Sequence, residues 1–211
     1  MAPFLIMLLL MGSAEKEILL PLPKHKGQVS VEEAIKNRKS VRSFKKEPLS
    51  IEEISQLLWA AQGITHTLRG FSFRAAPSAG ALYPLEVYTV LKQGIYHYIP
   101  SGHKLVLVKE GDFRKKLANA GLSQSAIHSA PLDIVITAIY ARTMIKYGER
   151  GTRYVHIEAG HVAENLQLQA VALGLGSVPI GAFYDEKVKN VIGCTNEEVP
   201  LYIIPIGKPR E

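Results

Sequence analysis

The sequence predicts an α+β fold. Three observations carry that prediction: two helix-start signals near the N-terminus, a group of consecutive strand-like runs in the middle third, and one long amphipathic helical pattern with further apolar runs after it. Helices and strands come in groups and do not alternate one for one, which argues against a regular parallel sheet. With 211 residues and 47% hydrophobic content, the chain has the size and composition of one globular domain. Such a domain buries enough surface to fold without disulfides or a structural metal.

Residues 1–27 are expected to form an apolar leader and a Pro- and Lys-rich approach, and residues 28–211 a single domain. Residues 1–12 are almost wholly apolar but too few to span a bilayer. They also lack the positive start of a signal peptide. A cytoplasmic protein is expected, with export or membrane association through residues 1–14 as the alternative.

Ser30 with Glu33 forms a capping-box pattern, so a helix should start at Val31 and end near residues 37–39. Ser50 with Glu53 repeats the signal. Ile51, Ile54, Leu57, Leu58 and Ala61 then recur at helical spacing, and Gly63 is a natural stop. Residues 64–84 are rich in Gly, Ser and Pro and read as loop. Strands are expected over 86–91, 94–98 and 104–108, followed by a short helix over 113–120. Residues 132–140 are a continuous apolar run of strand length, suited to a central strand buried on both faces. Val155, Ala159, Val162, Leu166, Ala170 and Leu173 share one face of a helix over 152–173, which Gly174 should cap. Apolar runs over 177–180 and 199–207 predict two more strands, with a short helix over 186–192 between them.

The formal net charge is +6. Its excess is concentrated in Lys24, Lys26, Lys36, Arg38, Lys39, Arg42, Lys45 and Lys46, against Glu32, Glu33 and Glu47. No RNA-recognition motif, zinc-finger spacing or helix-turn-helix pattern accompanies these charges, so nucleic acid is not the expected partner. Cys194 is the single cysteine, which excludes an internal disulfide and a four-thiolate metal site. Glu158 and His161 have a Glu-x-x-His spacing, but the matching second motif is absent, and no metal is expected. Helix packing or a supporting hydrogen bond is the plainer reading of that pair. No Gly-x-Gly-x-x-Gly follows a strand, which argues against a Rossmann nicotinamide domain.

Three segments form an ordered set. The first is Asn37, Arg38, Lys39, Ser40, Val41, Arg42, Ser43 and Phe44. The second is Pro77, Ser78, Ala79, Gly80, Ala81, Leu82, Tyr83 and Pro84. The third is Ile206, Gly207, Lys208, Pro209 and Arg210. Together, over about residues 24–210, they resemble the nitroreductase superfamily of FMN enzymes. A fourth segment is Lys146, Tyr147 and Gly148 with Arg150, Arg153 and Tyr154, leading into Glu158 and His161. It resembles the SagB-type dehydrogenase branch, which includes enzymes that oxidise azolines in peptides to azoles. Typical nitroreductases usually place Asn where this chain has Ala81, so the side chain behind one flavin contact is missing here.

The resemblance implies a three-layer fold with a mixed, mainly antiparallel central sheet flanked by helices. It also implies an intertwined homodimer with FMN at the subunit interface. Arg38, Lys39, Ser40, Arg42, Lys208 and Arg210 would surround the FMN phosphate, which Arg can grip with two nitrogens. Taken alone, the first of these segments is equally a basic helix end complementing the helix dipole. Pro77, Ser78, Ala79 and Gly80 would form one wall of the ring site, reaching a flavin held mainly by the other subunit. Pro179, Ile180 and Gly181 would form the other wall, with an amide directed at N5 and Gln124 as a further ring or ribityl contact. Lys146 and Tyr147 would be the catalytic acid and base, although a bare Lys-Tyr dipeptide is most often a pair of surface residues. Either would need burial or a neighbouring cation to give up its proton at neutral pH.

The function implied is hydride transfer through flavin N5, as a SagB-type dehydrogenase acting on an azoline-like or other small organic substrate. The alternatives are an NAD(P)H-dependent nitro or quinone reductase, with the nicotinamide stacking transiently on the flavin, and a non-catalytic flavin-binding partner of a larger biosynthetic complex.

Overall fold

The computed structural model describes residues 16–210. In chain order these form β1 (Glu17–Leu19), α1 (Val31–Asn37), α2 (Ile51–Gln62), β2 (Ile64–Leu68), β3 (Phe71–Arg74), a 3-10 turn (Ala79–Ala81), β4 (Leu85–Val90), β5 (Gly94–Ile99) and β6 (Lys104–Glu110). There follow α3 (Arg114–Ala120), α4 (Ser125–Ser129), β7 (Leu132–Ala138), α5 (Tyr140–Tyr147), α6 (Arg150–Ala172), β8 (Gly176–Ser177), α7 (Asp185–Ile192) and β9 (Val199–Gly207). Both early helices start where their caps require. Ser30 accepts from the Glu33 amide, and Ser50 and Glu53 form the full reciprocal box.

Seven strands form the main sheet in the order β1-β6-β5-β4-β7-β9-β8. Every strand pair in it is antiparallel, and the parallel contribution is a single bridge between Ser40 and Ser177. β7 alternates strictly. Leu132, Ile134 and Ile136 join one core with Leu57 and Leu58 of α2 and Val155 and Val162 of α6. Val135 turns to a second core with Leu117 of α3, Ile127 of α4 and Val188 of α7. Helices therefore cover both faces of the sheet, giving the three expected layers. Among the described residues no helix is long and apolar enough to cross a membrane.

Residues 64–74 are a hairpin where a loop was expected. Its turn falls at Arg69 (φ 51°) and Gly70 (φ 81°), the two positive dihedrals that a tight two-residue hairpin needs. β8 is shorter than the apolar run over 177–180. Pro179 has no amide to give the ladder, and Ile180 rejoins only as an isolated bridge to Ile203. The run that starts at Leu132 leaves the sheet after Ala138, and Tyr140 already begins α5. The approach segment contributes β1, paired along β6. Burial, with Glu198 beside it, pushes the Cys194 thiol up to about 11, so it stays protonated and unreactive at neutral pH.

The α5–α6 corner is held by Gly151. A Cβ there would lie 2.9 Å from the Met144 Cα and amide nitrogen and 3.0 Å from the Thr143 carbonyl carbon. Those are backbone atoms and cannot step aside. Gly151→Ala is therefore expected to cost about 1–3 kcal/mol, as overpacking does. At roughly 2–4 °C per kcal/mol for a chain of this size, the loss is readable in a thermal melt. An unchanged melting temperature would show that the corner has slack.

Candidate functional site

Residues 41–45 and 208–210 lie side by side. The Val41 amide donates to the Ser177 carbonyl at 3.0 Å, the Lys45 amide to Lys208 at 2.9 Å, and the Arg210 amide to Ser43 at 3.0 Å. Phe44, 2% exposed, bridges Pro209 across this seam and enters the second core. Ser40, Arg42, Lys208 and Arg210 are thereby gathered on one exposed strip. Arg38 turns to α6, where its guanidinium donates to Gln167 Oε1 at 3.3 Å and lies 3.9 Å from Glu164. Lys208 pairs with Glu47 at 2.8 Å, and that ammonium holds the Glu47 carboxyl below its usual range. Among the described residues Lys39, Arg42 and Arg210 form no ion pair. Exposed pairs such as Lys208–Glu47 are weak. A strip of under-neutralised Arg and Lys with a serine hydroxyl fits a phosphate dianion.

Residues 179–181 continue along this half of the molecule. Ile180 and Ile203 exchange both backbone hydrogen bonds at 2.9 Å, which leaves Gly181 exposed beyond them. Gln124 is a brace for this segment: its Nε2 donates to the Ala182 carbonyl at 2.9 Å and to Gly121 at 3.0 Å. Both amide hydrogens are thus committed within the protein.

The loop over 77–84 is wound tightly, with positive φ at Gly80 (64°), Ala81 (55°) and Tyr83 (46°). Ser78 Oγ accepts from the Tyr83 amide at 2.9 Å and ties the loop to itself. Arg142 donates to the Tyr83 carbonyl at 3.1 Å and pairs with Glu86 at 2.6 Å, and the Arg74 guanidinium stacks 4.5 Å over the Tyr83 ring. Lys146 and Tyr147, at the end of α5, close over Gly80. A Cβ there would lie 2.9 Å from Tyr147 Oη and 3.0 Å from Lys146 Nζ. The structure thus brings together two motifs separated by more than sixty positions in the sequence. The Tyr147 ring meets Tyr154 of α6 edge-on at 5.1 Å.

Behind the loop is a polar cluster that the sequence did not single out as a site. Glu158 of α6 is 2% exposed, and among the described residues its Oε1 has no hydrogen-bond partner. Burial pushes its carboxyl up to about 7, against the opposing pull of Ser78, Gln62 and Arg74. Gln62 accepts from Arg74 at 3.1 Å, while its Nε2 is unpartnered among the described residues. A cavity of about 270 Å³ opens here, lined by Pro77, Ser78, Ala79, Tyr154, Ile157, Glu158 and His161. A larger cavity, about 600 Å³, lies between α1, α2 and α6 around His25, Trp59 and Asn165, and no sequence-predicted site residue lines it.

The basic strip and the loop sit at opposite ends of the sheet. The loop runs into Leu85, which pairs with Ala138, the partner of Val199 at the start of β9. Lys208 and Arg210 follow Gly207 at its finish. Those eight residue steps span roughly 26 Å of strand. Among the described residues no hydrogen bond or ion pair joins the two groups.

Comparison with known proteins accords with this geometry. The Nitroreductase family model matches residues 35–208. A provisionally named nitroreductase of Methanocaldococcus jannaschii is 42% identical over 190 residues, covering 87% of this chain and 93% of that protein. The crystal structure of a provisionally named nitroreductase from Ralstonia eutropha superposes with a TM-score of 0.81 at 30% identity, over 95% of this chain and 92% of that one. The microcin B17-processing protein McbC of Escherichia coli is more distant, 25% identical over 170 residues. That match covers 75% of this chain and 62% of McbC.

Proposed function

The chain belongs to the nitroreductase family of oxidoreductases, and from that premise we propose that it is an FMN-dependent enzyme whose site is completed by a second copy of the chain. The observation that carries this reading is the seam between residues 40–45 and 208–210, which sets Ser40, Arg42, Lys208 and Arg210 on one strip, with Arg38 and Lys39 just before it in the sequence. These residues would hold the FMN phosphate, with residues 179–181 alongside the ring. The distance of the 77–80 loop from that strip supports a homodimer in which the loop of one copy covers the flavin of the other.

Bound FMN supplies an acceptor and donor of hydride. The chain's own residues then handle protons and exclude water. In this reading the Lys146 and Tyr147 side chains, whose ends both lie over Gly80, would handle the carbon-bound proton that dehydrogenation releases, with one of the two acting in its deprotonated form. The preferred reading is therefore a SagB-type dehydrogenase of an azoline-like or other small organic substrate. The likeness to McbC and the Lys-Tyr pair at the loop support it. The nitroreductase names of the Methanocaldococcus and Ralstonia proteins favour the second reading, NAD(P)H-driven nitro or quinone reduction.

Lys146→Ala and Tyr147→Phe separate the two. The purified variants should keep the flavin absorbance of the unaltered protein and lose dehydrogenation of azoline peptides by at least about a hundredfold, as removal of a proton-transfer group does. NADPH-dependent nitroaromatic reduction that survives in both variants at full rate, with no azoline oxidation in the unaltered protein, would hand the assignment to the reductase. A colourless protein after FMN addition would end both readings.

A further inference from the structure

Two glutamates are buried to the same depth in this fold and are treated in opposite ways. Glu198, 2% exposed, accepts from the Tyr88 hydroxyl, the Thr137 hydroxyl, and the amide and hydroxyl of Thr195. It is a saturated structural carboxylate. Glu158, also 2% exposed, has an oxygen with no partner among the described residues and faces a cavity. A buried acceptor left open in this way is costly unless something else uses it.

The groups around Glu158 define that use. From the loop comes Ser78, whose Oγ already accepts from the Tyr83 amide at 2.9 Å. Its own hydroxyl hydrogen is therefore still to be donated. From α2 comes Gln62, with an Nε2 unpartnered among the described residues, and from β3 comes Arg74, which holds the far side of Gln62. Tyr154 and His161 of α6 line the same cavity. Beyond Tyr154, in edge contact, stands Tyr147 with Lys146 over Gly80. A cavity of about 270 Å³ has room for several waters at roughly 30 Å³ each, so a proton has a route to the carboxyl.

We propose that Glu158 is a positioning residue that controls the direction of the Ser78 hydroxyl, and through it the grip of the 77–80 loop on a bound flavin. This rests on the flavin reading above. Ionised Glu158 is acceptor-only and draws the Ser78 O–H inward, with the Gln62 amide as its second donor. Protonated Glu158 becomes a donor, and the Ser78 O–H is released to donate outward from the loop. Flavin should therefore be held more tightly when Glu158 carries its proton. Its carboxyl titrates near neutrality, so the change falls in the physiological range.

The test is the dissociation constant of FMN, read by quenching of flavin fluorescence, from well below to well above neutral pH. It is measured for the unaltered protein, Glu158→Gln and Ser78→Ala. The titration of the FMN phosphate is common to all three and cancels in the comparison. On the acid side the unaltered protein should gain about threefold to tenfold in affinity over both variants' pH dependence, the worth of one hydrogen bond. Parallel curves for all three would overturn the proposal and leave the flavin reading standing. A steep curve that persists in Ser78→Ala would also overturn it, because Glu158 would then act by charge alone. Absence of FMN binding in the unaltered protein would remove the flavin reading itself.

A thermal melt gives a readout without flavin. A carboxyl raised from the ordinary 4.5 to about 7 makes the folded state bind its proton more tightly than the unfolded one. The stability it contributes is present at low pH and is lost as pH climbs through that window. Glu158→Gln, fixed in the neutral form, should therefore gain in melting temperature on the unaltered protein as pH rises from 4.5 to about 7. A difference that stays constant with pH would count against a titrating Glu158. Should Glu158→Gln fail to fold, Ser78→Ala carries the binding prediction by itself.

Discussion

Replacing Phe44 with Ala should open the seam between residues 41–45 and 208–210 and cost about 3–5 kcal/mol, the usual range for a buried aromatic cut to Ala. Phe44 is 2% exposed, bridges Pro209, and packs among residues of the second core. Its backbone neighbours Ser43 and Lys45 carry the hydrogen bonds to Arg210 and Lys208. The cavity left by Ala would loosen those two rungs, and the basic strip exists only because they are closed. Under the proposed function, flavin should be released at a urea concentration below that of global unfolding, seen as free-flavin fluorescence ahead of the loss of helical ellipticity. Phe44→Leu, closer in volume, should cost under about 1.5 kcal/mol and keep the two transitions together. If Phe44→Ala loses less than about 1 kcal/mol, the seam is held by its hydrogen bonds and not by the ring.

The second large effect is a rescue. Arg42→Ala with Arg210→Ala removes two of the strip's charges. Gly80→Val places a β-branched residue at φ 64°, where such residues are outliers, and drives a side chain into Lys146 and Tyr147. Each variant alone should be inactive in whatever turnover the unaltered protein shows. Refolded together, they should regain roughly a quarter of it: about half of the pairs are mixed, and each mixed pair has one undamaged site if a site takes its strip from one copy and its loop from the other. A mixture as dead as its parents would mean that strip and loop of the same chain serve the same flavin.

Much of the architecture was legible because local chemistry and tertiary packing agreed. Ser30 and Ser50 start helices because their hydroxyls satisfy amides that the helix cannot. The run over 199–207 is a strand in full, since its neighbours on both sides bury it. The β2–β3 hairpin was not legible because its turn uses Arg69-Gly70 in place of the Asn-Gly or Asp-Gly that signals such turns. α5 was missed because no side chain caps its start at Ile139. It is held by tertiary contact with α6, at Gly151, which no local pattern announces.

The site divides in the same way. Its motifs were visible as strings, and the structure adds which strings meet. Lys146 and Tyr147 close over Gly80, and Arg42 lies beside Lys208 and Arg210. Gln124 shows what the structure adds to a residue-by-residue reading: its Nε2 donates to Ala182 and Gly121, so a ligand would meet its Oε1. Arg74 and Gln62 carried no signal at all. Each is ordinary until Glu158 is seen behind Ser78, and that neighbour lies 96 positions further along than Gln62.

The placement of strip and loop at the two ends of β9 has a thermodynamic reach beyond geometry. If a flavin must touch two chains, its loading and their association are one linked equilibrium, and mass action ties them together. Dilution would then bleach the protein, and abundant flavin would stabilise the pair. The yellow colour would become a gauge of how much of the protein is assembled.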